Sequence, residues 1–118
     1  MTVKNKFLML CAGLLAGVAV SQGASAQAPT DAKTLYEANC KKCHGVRGVP
    51  PKAMKTKFEK LVAFDAAFVE KHSVDSIAKV LVKGKGEDMK SFKDKMTAEQ
   101  LTSVAQYVHE LASKKAEP

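Results

Sequence analysis

Residues 40 to 44 read Cys-Lys-Lys-Cys-His, and no other stretch limits the possible folds of this chain so sharply. Two thiols three positions apart, with an imidazole directly after the second, fall on one turn if the backbone is helical there. That turn must keep one side open to whatever the three side chains bind. The residues before it supply a helix. Thr30 or Asp31 can cap it with acidic charge near its positive end, and Ala32, Leu35, Tyr36 and Asn39 share a face that runs on into Cys40. The residues after it forbid regular structure. Gly-Val-Arg-Gly-Val-Pro-Pro, from Gly45 to Pro51, holds two glycines and two adjacent prolines and must be a loop.

Cys-x-x-Cys-His at the end of a helix is the attachment pattern of c-type haem. The spacing has a physical reason, since cysteines three apart on a helical turn reach the two vinyl groups on one side of a porphyrin and the next residue projects over the iron. His44 would then be the proximal ligand as a neutral imidazole, with one haem held covalently by Cys40 and Cys43. A zinc site is the first alternative, but His72 and His109 are isolated and far apart in sequence. A thioredoxin-like redox pair needs a βαβ context, and a plain structural disulfide gives no role to His44.

The N-terminus reads as an address. Lys4 and Lys6 precede an uncharged stretch from Phe7 to Val20, and Ala24-Ser25-Ala26 closes a small-residue cleavage site. Fourteen residues make a helix of about 21 Å, short of the roughly 30 Å that a membrane span must cross. Residues 1–26 are therefore expected to be a cleaved signal peptide, and 27–118 a single domain. Cys11 follows the bulky Leu10 within the apolar stretch and leaves with it, which resolves the odd count of three cysteines. The exported, oxidising compartment implied is the periplasm, where a lone close cysteine pair is either a disulfide or bonded to something else. Formal charge falls from +7 to +5 with the signal removed. Beyond residue 26 the large apolar side chains are too few for a well-filled core, so a non-protein group is expected in the middle.

The rest of the chain is helical in period. Phe58, Leu61, Val62, Phe68 and Val69 recur at helical spacing between Lys57 and His72; Ser73 caps a further helix burying Val74, Ile77, Val80 and Leu81, and Gly84 stops it. Lys85 to Lys95 is a polar loop that dips inward at Met89 and Phe92. Thr97 and Gln100 form a capping box with Met96 as its staple, ahead of the stripe Leu101, Val104, Ala105, Val108, Leu111, Ala112. Lys114 and Lys115 suit the negative helix end. No segment alternates with a strand period. The expected fold class is all-α, about four helices around one haem.

Residues 31 to 112 resemble class I monohaem cytochromes c. The likeness rests on the attachment site, the Gly45 turn, the Pro50/Pro51 loop, the Gly84-x-Gly86 stop before Met89, the Met-x-x-Phe run, and Tyr36, Val104 and Tyr107 on the first and last helices. Lys90 stands where the family usually has a proline after its methionine, and Ala32 where it has a close-contact glycine. The resemblance implies a cytochrome c-like fold, a carbonyl of Pro50 or Pro51 accepting the His44 Nδ1 proton, and Met89 as the second axial ligand. The residues themselves offer Met54, Met89, Met96, His72 and His109. Met54 follows His44 too closely, Met96 is a staple residue, and His72 and His109 read as surface positions. Met89 remains, with gap-filling as its bland alternative.

His/Met ligation saturates the iron and points to outer-sphere transfer of single electrons rather than to an enzyme. The expected function is a periplasmic electron carrier. An electron-transfer subunit of a larger oxidoreductase and a ligand-binding or peroxidase-like haem protein are the alternatives. Lys79, Lys83, Lys85, Lys90, Lys93 and Lys95 around the Met89 loop, with Lys41 and Lys42, suit redox partner proteins with acidic docking surfaces. Nucleic acid is not an expected partner, because the chain reads as exported and its aromatics fall on buried stripes rather than interleaving with the lysines; membrane insertion is expected to end with the signal, and a monomer is expected.

Overall fold

The computed structural model describes residues 31–114, so the signal read over 1–26 and the possible cap Thr30 lie outside the described residues. Asp31 takes the cap. Its carboxylate accepts from the Thr34 N–H at 3.0 Å and the Thr34 hydroxyl at 2.7 Å, and these bonds hold its pKa below the usual value. Helix α1 runs Ala32–Asn39 and buries Leu35 and Tyr36. A single short turn, α2, follows at Lys41–His44.

One helix between Lys57 and His72 is not what forms. Pro51, at φ −57°, starts a helix earlier: its carbonyl accepts from Met54 and Lys55 at 2.9 and 3.0 Å, and α3 spans Lys52–Lys57. The chain then leaves helical geometry at Phe58 and re-enters it only at α4, Ala66–Lys71, where the Asp65 carboxylate accepts from the Phe68 N–H at 3.0 Å. The break has a tertiary cause. The Phe64 N–H donates to the Gly48 carbonyl at 2.8 Å, pinning this segment to the loop after His44 and withdrawing that N–H from any helix.

Helix α5, Val74–Lys83, is capped by Ser73, buries Ile77 and Leu81, and ends at Gly84. Helix α6, Ala98–Lys114, carries the capping box as expected: the Thr97 N–H donates to Gln100 Oε1 at 2.9 Å and the Gln100 N–H to Thr97 Oγ1 at 3.2 Å. It buries Leu101, Val104, Ala105, Val108 and Ala112, with Leu111 half-buried at the edge. The described residues thus hold six helical segments rather than four, three of them of four to six residues, and no sheet. The fold is all-α. Helix α6 is its spine, packing against α1, α4 and α5.

At the α1–α6 crossing Tyr36 and Val104 are fully buried, and the rings of Tyr36 and Tyr107 lie 5.3 Å apart at 56°. Tyr36 also carries the polar contact of this core. Its hydroxyl donates to the Gly45 carbonyl at 2.6 Å, tying α1 to the residue that follows His44. Burial, with Cys40 and Tyr107 adding, pushes the phenol well above its usual pKa, so it remains a donor at every physiological pH. Tyr36→Phe should lower the stability of the holoprotein by about 1–2 kcal/mol without altering the fold, because the Gly48 N–H, 3.2 Å away, still serves the Gly45 carbonyl. Denaturant midpoints of the two proteins measure this; coincident midpoints would show the bond to contribute nothing.

Candidate haem site

Cys40, Cys43 and His44 sit together on one turn, as their spacing requires. The Cys43 and His44 N–H groups both donate to the Cys40 carbonyl, at 3.2 and 2.9 Å, which closes the turn around that atom. Both cysteines are unbridged thiols, Cys40 buried among the core residues and Cys43 half-buried. Burial and the neighbouring Cys43 push the Cys40 thiol up to about 11, so it is a neutral thiol and no ready thiolate nucleophile. Burial pushes the His44 imidazole below the usual histidine range, leaving it neutral at pH 7.

The His44 ring is held by stacking. Its centroid lies 4.8 Å from that of Phe64 with 17° between the planes, and Phe64 continues to Phe68 at 4.8 Å and Phe68 to His72 at 4.5 Å. The carbonyl of Pro50 or Pro51 expected to accept from Nδ1 does not: His44 Nδ1 is buried and has no hydrogen-bond partner. Of the two, the Pro51 carbonyl accepts instead from the Met54 and Lys55 N–H groups at the start of α3.

Sequence reasoning missed Phe64 because it falls outside the helical stripe. Its signal was its place directly before Asp65, where a hydrophobic residue precedes a helix cap.

Met89 reaches the core from a different element. Gly84 ends α5 at φ +75° and ψ 178°, a backbone region open essentially to glycine, and a Cβ there would lie 2.6 Å from the Met89 carbonyl oxygen. The chain can therefore fold back closely. The Lys85 N–H donates to the Met89 carbonyl at 2.8 Å, and the Phe92 N–H to the Leu81 carbonyl at 2.9 Å, fixing the loop against the end of α5. Both Met89 and Phe92 are half-buried against the core, the inward dips expected of them. Among the other ligand candidates, Met96 is core at 6% exposure, Met54 is half-buried on α3, and His72 and His109 are half-buried rather than fully at the surface.

The donor set fits a haem: two thiols and a half-buried neutral imidazole share one turn, and a thioether on a separately anchored loop packs against the same core. Comparison with known proteins agrees. The family model described as cytochrome C oxidase, cbb3-type, subunit III matches residues 27–108. The KustC0563 c-type cytochrome is 31% identical with a TM-score of 0.63, over 70% of this chain and 98% of that one. A mutant of the same cytochrome gives 30% and 0.61, over 69% and 98%. No curated protein matches the chain. The family match over most of the chain, and its agreement with an all-α fold built around the Cys40–His44 turn, make this chain a member of the c-type cytochrome family, whose haem serves electron transfer.

Proposed function

We propose that the mature protein is a periplasmic carrier of single electrons, with one haem c joined through Cys40 and Cys43 and ligated by His44 and Met89. When bound, that group supplies an iron that alternates between two oxidation states one electron apart. The observation that carries the reading is the Cys40–His44 turn, which brings two unbridged thiols and a neutral imidazole together within five residues. Every other role belongs to the chain. Cys40 and Cys43 would anchor the group, His44 would supply its imidazole as ligand, and the Met89 thioether, a soft weak donor, would favour the reduced state. Two protein ligands leave no open position for a substrate, which supports a carrier over a peroxidase-like or gas-binding protein. Export follows from the signal pattern over 1–26; among the described residues no helix is long and apolar enough to cross a membrane. A monomer with acidic redox partner proteins is the expected solution state.

The absorption spectrum of purified holoprotein, oxidised and reduced, tests this together with Met89→Ala. The unaltered protein should show a low-spin spectrum in both states and fail to bind carbon monoxide when reduced. Met89→Ala should become high-spin and bind it readily. Carbon monoxide binding with Met89 intact, or an unchanged spectrum in the variant, would remove Met89 as ligand. The matched family is described as an oxidase subunit, which favours a second reading as one subunit of a complex; a stoichiometric partner retained through purification at moderate salt would decide for it.

A further inference from the structure

The positive charge of the described chain is concentrated in one segment. Residues 40–64 hold seven Lys or Arg against a single acid, Glu59, whereas residues 65–114 hold eight of each sign. All seven cations are exposed, and the only ion pair among the described residues, Lys33 with Glu37, lies outside the segment. The lysines around the Met89 loop differ in this respect. Glu87, Asp88, Asp94 and Glu99 stand among them and cancel most of their field.

The same segment exposes apolar surface. Val46, Val49 and Val62 are 57%, 51% and 55% exposed, high values for branched apolar side chains. Next to the Cys40–His44 turn, Lys41, Lys42 and Arg47 line an open cleft of about 560 Å³ together with Val46, Val49 and Pro51. Exposed apolar side chains interleaved with cationic ones suit a protein–protein interface. A lipid surface fits less well, because the segment's two helices, α2 and α3, are only four and six residues long, and α3 carries no aromatic side chain to insert.

We propose that the redox partner docks on this attachment-side face, formed by the Cys40–His44 turn, the loop to Pro51 and α3, and not on the Met89 loop. The partner surface it fits is acidic and partly apolar. One electron crosses per encounter, oxidising one protein and reducing the other by one, with no bond made and no proton moved. The inference rests on the electron-carrier reading above and assigns that carrier's contact face.

Reduction of the oxidised holoprotein by the anionic iron(II)–EDTA complex, followed by stopped flow across ionic strength, tests it. Lys52→Glu/Lys55→Glu and Lys90→Glu/Lys93→Glu change net charge equally, so a difference between them reports location. The first pair should lower the low-salt rate constant about tenfold and flatten its salt dependence, and the second less than about twofold. Poly-aspartate added to isotope-labelled holoprotein should shift backbone amides within 40–64 and spare 79–95. Equal responses of the two variant pairs, or a larger one at the Met89 loop, overturn the proposal. So does retention on phosphatidylglycerol vesicles that is lost in Lys52→Glu/Lys55→Glu while the iron–EDTA rates of both pairs stay at the unaltered value; this outcome assigns the face to a membrane. Failure of the electron-carrier reading looks different: no variant, nor the unaltered protein, would accept the electron, and the docking proposal would fall with it.

Discussion

Protein carrying Cys40→Ala and Cys43→Ala, stripped of haem, is expected to lose more than half of its helical circular dichroism at 25 °C. The reason is the thinness of what remains. Of the buried apolar residues described, two are alanines and one is Cys40 itself, and Tyr36 and Val104 are the only large side chains fully out of solvent. Three of the helical segments, α2, α3 and α4, have four to six residues, far below the length at which a helix persists alone in water. They exist because of the contacts around the Cys40–His44 turn and Phe64. A group that binds only the folded chain adds its binding free energy to folding, and losing it returns that energy. Far-UV circular dichroism and a denaturant titration of the stripped variant measure this. A cooperative transition with native-like helix content would show that the protein core suffices on its own.

Gly45→Ala should destabilise the holoprotein by about 3 kcal/mol or more. Gly45 has φ +77° and ψ 157°, where a side chain costs about 1–3 kcal/mol in backbone strain alone. The added Cβ would also lie 2.0 Å from the Val49 carbonyl oxygen and 2.8 Å from its carbon, both backbone atoms that cannot swing aside. Relief requires opening the loop, which pulls the Gly45 carbonyl from the buried Tyr36 hydroxyl and adds about 1–3 kcal/mol. Gly86→Ala is the control: φ is +66° there, but nothing lies within 4 Å of the new Cβ. Thermal midpoints of the two variants should differ widely. Equal losses would mean that positive φ, and not the close approach to Val49, is what Gly45 provides.

What could be read from the sequence was local. The helix caps at Asp31, Ser73 and Thr97, the Gly84 stop and the stripe of α6 all rest on groups within four residues of each other, so spacing alone reports them. The stretch from Phe58 to Asp65 misled for the same reason. Its apolar spacing is helical, but the Phe64 N–H is taken by Gly48, sixteen residues earlier, and no local pattern encodes that bond. The expected Nδ1 acceptor failed likewise, because the Pro51 carbonyl is drawn into the first turn of α3 by the Met54 and Lys55 N–H groups.

The sequence by itself determined the chemistry: two thiols and an imidazole on one turn, a methionine in a glycine-entered loop, and a segment with unbalanced positive charge. Each is a property of residue type and close spacing. Only the tertiary structure decided how the imidazole is held. Stacking of His44 on Phe64, and the hold of Tyr36 on Gly45, join residues nine to twenty positions apart, and such contacts are selected by which surfaces α6 brings together rather than by any period in the chain.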